Sequence, residues 1–145
     1  MPFKPLIEKA SVRKSYRGDT LRLSQDGQYL FVTTRGMTTD TRGYLAVWRV
    51  APDGTLGSSS CGTSEDPHAP LDRYETPTSG GKANAIETFP FHLEGSEGRN
   101  DWIVLTDDID GWVWVLEWDG KKIEEVAGVR LEAEGTGASH AVWLS

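Results

Sequence analysis

Residues 101–120 read DWIVLTDDIDGWVWVLEWDG, and residues 29–54 read YLFVTTRGMTTDTRGYLAVWRVAPDG. Both stretches follow one plan. An apolar run ends in Thr, a polar connection leads to a Gly and an aromatic residue, and a second apolar run containing Trp closes on Asp-Gly. Short apolar runs rich in β-branched and aromatic residues, bounded by Gly, Pro and Asp, are strands. Asp-Gly turns the chain because Gly accepts φ > 0 and Asp hydrogen-bonds its own backbone two residues on. The plan recurs after roughly 70 residues, so the chain carries an internal repeat of two units. The runs lack strict alternation, which belongs to sheets covered on both faces. A repeated antiparallel unit of this kind is a propeller blade in sequence form. A two-sheet sandwich accounts for the strands but leaves the repeat unexplained.

Working outward, Leu21 to Ser24 is a short strand joined to Tyr29–Thr34 through Asp26-Gly27. Arg35 to Gly43 is a loop, Tyr44 to Val50 a strand, and Pro52-Asp53-Gly54 a turn. Leu56 to Asp72, rich in Ser, Gly and Pro, is a surface excursion. Strand character returns at Ala83 to Phe91, and Glu94 to Asn100 is a second polar loop. After Trp112–Trp118, Lys121 to Leu131 continues extended, and Ser139 to Leu144 is again strand-like. The expectation is an all-β chain with almost no helix, a single partial β-propeller domain over residues 1–145. Its blade-like units are 16–56 and 83–131, with a closing strand at 139–144. The inner strands are Leu21–Ser24 and Ala83–Thr88. Propellers close with about four to eight blades. Two blades therefore belong to something longer, or self-associate through exposed sheet edges and apolar faces.

Composition narrows the partners. The net charge of −7 argues against nucleic acid, which needs clustered Lys and Arg. The single cysteine, Cys61, allows no internal disulfide and fits a reducing, cytoplasmic setting. The start, Met1 to Leu6, has no apolar leader region. No apolar run approaches the roughly 18 residues of a membrane span.

Individual candidates are weak. Asp107, Asp108 and Asp110 before Gly111 lack the calcium-loop frame and its distal Glu, and are expected as a hairpin turn. Gly80-Gly81-Lys82 lacks the phosphate-loop frame and is expected as a tight connection. Cys61 and His68 have no second pair to complete a zinc site. No G-x-S-x-G elbow occurs. His140 is expected to be structural rather than catalytic, and the Trp-rich strands to form core.

Four stretches resemble a known family: 16–36 (YRGDTLRLSQDGQYLFVTTRG), 76–85 (TPTSGGKANA), 102–118 (WIVLTDDIDGWVWVLEW) and 139–144 (SHAVWL). They are similar to the C-terminal part of fungal carboxy-cis,cis-muconate cyclases, which belong to the seven-bladed lactonase propellers along with the 6-phosphogluconolactonases. The resemblance implies an intramolecular lyase that forms a muconolactone in aromatic-acid breakdown, with no metal or organic cofactor and a small polycarboxylate as substrate. It implies that residues 139–144 complete the blade that closes the ring. It matches Arg35 to a substrate-binding arginine of the family's central pocket. Arginine suits that role through its planar fork and permanent charge. Arg35 is accordingly expected at the channel-facing end of its strand, open to solvent and with no carboxylate opposing it. Arg42, in the following loop, has no family counterpart.

The family's other site residues, a His, a Glu and a second Arg, lie in earlier blades. After Gly81 this chain has Lys82 where the family has His. No catalytic residue is therefore assigned, and the isolated chain is expected to be inactive. Two alternatives stand beside this reading. One is a non-catalytic interaction module that pairs through its strand edges. The other is a lactone hydrolase, which would require a phosphate site.

Overall fold

A computed structural model describes residues 10–57, 69–90, 100–132 and 135–144. Cys61, His68, Phe91 and most of the 94–100 loop lie outside the described residues. Among those described, the chain is all-β apart from one helical turn, α1 (Ala10–Arg13). Two antiparallel sheets follow one another along the chain. The first holds β1 (Tyr16–Leu23), β2 (Tyr29–Gly36), β3 (Tyr44–Val50), β4 (Leu56–Gly57) and β5 (Asp72–Glu75). The second holds β6 (Ile86–Thr88), β7 (Asp101–Asp107), β8 (Trp112–Trp118) and β9 (Ile123–Arg130). The order β6-β7-β8-β9 is a plain meander. So is β1-β2-β3, with β4 and β5 both lying on the far edge of β3.

The Asp-Gly turns work as their chemistry requires. Gly27, Gly54 and Gly120 have φ of 70°, 81° and 91°. The carboxylates of Asp26, Asp53 and Asp119 each accept the backbone N–H two residues on, at 2.9, 3.0 and 2.7 Å. These turns fix the registers of the hairpins they close, which pair Leu23 with Leu30, Val50 with Leu56 and Trp118 with Ile123.

The fourth strand of the first sheet is divided. β4 pairs with Arg49 and Val50 at one end of β3, and β5 pairs with Tyr44–Val47 at the other. The excursion is thus an insertion within one strand position. The first sheet takes in β5, through Glu75. Asp72, expected in the excursion, already belongs to β5. The sequence Asp72-Arg-Tyr-Glu75 carries little apolar signal, because an outer strand is held by its ladder and buries few side chains.

The sheets pack face to face as consecutive blades do. Phe31, Leu45 and Val47 of the first meet Ile86, Ile103, Leu105, Trp114, Leu116 and Trp118 of the second in one core. Leu45, Ala46, Val47 and Trp48 are all buried in succession, so β3 is covered on both faces. The inner strands β1 and β6 run side by side with a constant offset. Asn84 N donates to Asp19 Oδ2 (2.7 Å), Arg22 Nε to Glu87 Oε2 (2.9 Å) and Thr88 Oγ1 to Leu23 O (2.9 Å), each pair 65 residues apart. The outer strands keep their own offset, with Ile123 N bonded to Asp72 Oδ2 and the Tyr74 hydroxyl to Glu125 Oε2, each pair 51 apart.

One expected strand is not formed. Residues 139–144 carry no ladder pairing among the described residues. The tail lies against β6 without joining its ladder. Its Trp143 indole donates to Glu87 O at 3.2 Å and meets Phe89 edge-on, with ring centroids 4.9 Å apart.

Candidate functional site

The loop 76–85 crosses from the outer strand of the first sheet to the inner strand of the second, and Arg35 lies beneath it. The crossing is bound at both flanks. Gly36 N donates to Ser79 O (2.9 Å) and Gly43 N to Thr78 O (3.1 Å) on the first sheet. On the second, Lys82 N and Ala83 N donate to Asp108 Oδ1 at 2.6 and 3.0 Å. The Thr78 hydroxyl donates to Oδ2 of the fully buried Asp107.

Gly80 and Gly81 make this path possible. Both have positive φ, 86° and 66°. A Cβ on Gly80 would fall 2.5 Å from the Asn84 side chain, and one on Gly81 2.2 Å from Asp108 Oδ1. The Gly80-Gly81-Lys82 stretch is therefore the tight connection expected from sequence. Asp107 Oδ1 accepts from Ile109 N and Asp110 N at 2.8 and 2.9 Å and shapes the turn before Gly111. Among the described residues no group of three or more His, Cys, Asp or Glu could hold a metal ion.

Arg35 is the last-but-one residue of β2. Its Nη1 donates to Gly81 O at 3.2 Å, and its Nε lies 3.8 Å from Asp19 Oδ2. Its side chain is 17% exposed. The expectation of an open, unopposed guanidinium is thus corrected. The crossing loop covers Arg35, and Asp19 faces it. Asp19 comes within reach because β1 carries a bulge there. The register steps from Gly18↔Thr34 to Leu21↔Val32, so Asp19 and Thr20 together oppose Thr33. Bulges of this kind redirect side chains. The 3.8 Å separation is longer than a hydrogen bond, and Asp19 Oδ2 is already taken by Asn84 N. The pairing is Coulombic, and the one hydrogen bond of the Arg35 guanidinium among the described residues runs from Nη1 to Gly81 O.

Arg42 lies elsewhere, exposed in the β2–β3 loop and 3.6 Å from Glu75. His140 is exposed, two residues beyond Ala138, whose N–H donates to Asp107 O. The Trp-rich strands do form core, with Trp48, Trp114 and Trp118 buried.

Sequence reasoning missed Asp19, Thr78 and Asn84. Asn84 is fully buried, and its amide donates to Thr34 O at 3.1 Å. Its backbone carbonyl oxygen accepts from the Thr33 hydroxyl at 2.8 Å. A signal was present in Arg17-Gly-Asp19, a polar Gly-containing stretch inside what must be an inner strand, because Gly within a strand marks bulges.

No family model matches the chain. The chain is similar to the carboxy-cis,cis-muconate cyclase of Neurospora crassa, 30% identical over 128 residues, which make up 88% of this chain and 30% of that protein. It is also similar to muconate cycloisomerase 1 of Cutaneotrichosporon cutaneum, 35% identical over 132 residues, 89% of this chain and 32% of that protein. The chain spans about a third of the length of these curated relatives.

Proposed function

We propose, taking the chain as a partial and distant relative of the carboxy-cis,cis-muconate cyclases, that it forms part of a ring-closed propeller that lactonises a small polycarboxylate, with Arg35 holding a substrate carboxylate. The observation that carries this reading is the setting of Arg35. It is a guanidinium fixed at a blade end by Gly81 O, with Asp19 too distant to occupy its fork.

In the proposed reaction one carboxylate oxygen of the substrate adds to a carbon of its own double bond. The π electrons pass to the neighbouring carbon, which takes up a proton, and no atom is lost. Arg35 orients a carboxylate and offsets charge around it. The proton donor belongs to blades outside this chain, so the chain alone is inactive in this reading. A reducing, cytoplasmic setting is part of the proposal, drawn from the lone Cys61. Among the described residues no helix is long and apolar enough to cross a membrane.

The test is the kcat/KM of the full-length protein for lactone formation. Arg35→Ala should lower it about 10- to 150-fold, the loss of one charge-assisted pair. Arg35→Lys should recover only part, because lysine keeps the charge without the fork. Arg42→Ala should change little. Equal activity in the Arg35 and Arg42 variants would remove Arg35 from the site.

A second reading rests on a separate observation. Leu21 and Leu23 of β1 are 61% and 52% exposed, on the face of the first sheet turned away from the second. In this reading the chain, on its own, is an interaction module that self-associates by covering that face.

A further inference from the structure

β1 and β2 place two arginines directly opposite one another. Arg17 is the cross-strand partner of Arg35, so both side chains leave the same face of the sheet at the same end, with β-carbons about 5 Å apart. Like charges set opposite each other destabilise a sheet unless something of opposite sign lies between them. The local carboxylate serves only one of the two. Asp19 Oδ2 accepts from Asn84 N at 2.7 Å and lies 3.8 Å from Arg35. Arg17 is exposed and has no ion-pair or hydrogen-bond partner among the described residues. Arg35, by contrast, is held by the crossing loop. The pair thus joins one fixed guanidinium to one free to close.

We propose that Arg17 and Arg35 form a two-point clamp for two carboxylates of one ligand, a short dicarboxylate or tricarboxylate. The inference deepens the reading of Arg35 given above and rests on it for the ligand class. Each guanidinium presents a planar fork that matches one carboxylate. Two forks at cross-strand spacing select a second carboxylate, which a single arginine cannot do. The bulge at Asp19-Thr20, immediately beside the pair, places the Asp19 carboxylate on Asn84 N. Arg17 becomes a specificity-determining residue, and the chemistry remains elsewhere.

The test is direct binding to the full-length protein by calorimetric titration, with two probes that share a six-carbon diene skeleton: cis,cis-muconate, a dicarboxylate, and sorbate, a monocarboxylate. The wild-type protein should bind muconate at least about 10-fold more tightly than sorbate, as expected for one additional charge-assisted pair. Arg17→Gln should bring muconate down to the level of sorbate and leave sorbate unchanged. Arg35→Gln should weaken both, and Arg42→Gln neither. Arg17 is on the surface, so a thermal unfolding curve unchanged from wild type confirms that its variant is folded. Equal binding of the two probes by the wild type, no saturable binding of muconate, or full retention of muconate preference in Arg17→Gln overturns the clamp. The last result, with Arg35→Gln still impaired, overturns the clamp alone and leaves Arg35 in the site. An unimpaired Arg35→Gln overturns both readings.

Discussion

The Thr78 hydroxyl donates a hydrogen bond to Oδ2 of Asp107, a carboxylate with no exposure to solvent, and so joins the inter-sheet crossing to the second sheet. Thr78→Val removes this donor and also the acceptor for Gly80 N. It should lower stability by about 1–3 kcal/mol, the cost of a buried polar group left unpaired. Asp107→Asn should be milder, because an amide can donate to the Thr78 oxygen and its own oxygen still accepts from Ile109 N and Asp110 N. Asp107→Ala should be the most damaging of the three. Urea denaturation of each variant orders them, and a neutral Thr78→Val would show that the crossing is not held there.

Gly81→Ala and Gly18→Ala form a contrasting pair. At Gly81, φ is +66° and the new methyl would press on Asp108 Oδ1. A loss of at least 1–3 kcal/mol is expected, roughly the cost of a left-handed non-glycine residue plus the displaced contact. At Gly18 a Cβ meets nothing within 4 Å, so alanine should be neutral or stabilising by about 0.5–1 kcal/mol through the reduced freedom of the unfolded chain. Thermal unfolding midpoints that shift equally for the two variants would contradict the geometry of the crossing.

Tyr74 provides a pH-dependent signature. Burial first, then its hydrogen bond to Glu125 and that carboxylate's charge, raise its phenol above the ordinary 10.0. Tyr44 is raised as well, by burial first and then by Tyr16. A raised phenol pKa means that the folded state favours the protonated form. The associated stability is fully present below about pH 10 and is lost as pH rises above it. Stability of the wild type should therefore fall on the alkaline side of pH 10. Tyr74→Phe, already lacking the bond to Glu125, should fall less steeply. Denaturant midpoints measured from pH 8 to 11 check this, and parallel curves for the two proteins would refute it.

The Leu21 and Leu23 face predicts the behaviour of the isolated 145-residue chain. Exposed contiguous apolar surface on a sheet is a site of association. Size-exclusion chromatography with light scattering should show oligomers, and the double substitution Leu21→Lys with Leu23→Glu should shift the chain towards monomer without loss of sheet by circular dichroism. A monodisperse wild-type monomer would remove the interaction-module reading.

The legibility of this fold in its sequence depended on how each strand is held. β3 and β8 have the bounds expected, Tyr44–Val50 and Trp112–Trp118, because apolar runs are bracketed there by Gly43 and Pro52 and by Gly111 and Asp119. β1 begins five residues before the expected Leu21, because Tyr16 to Thr20 is held by its ladder to β2 through a bulge rather than by burial, and a ladder leaves no mark in hydropathy. β5 was hidden for the same reason. At the site, Arg35 was legible through resemblance and its position after an apolar strand. Its cover by Gly81 and its facing of Asp19 were not, since the first depends on a loop that crosses 46 residues further along the chain and the second on the bulge in β1. Residues 139–144 had the composition of a strand, but they are held by side-chain contacts of Trp143 to Glu87 and Phe89 and not by a ladder.

The constant interval of 65 residues between hydrogen-bonded positions of the two inner strands has a genetic meaning. A recombination event that joins any codon of β1 to the codon 65 positions later excises one whole blade and leaves the inner-strand contacts in phase. A tandem duplication with the same endpoints inserts one. Gain and loss of blades in such a gene is thus a matter of unequal crossing-over at matched positions, and no new turn or register has to be invented at the junction.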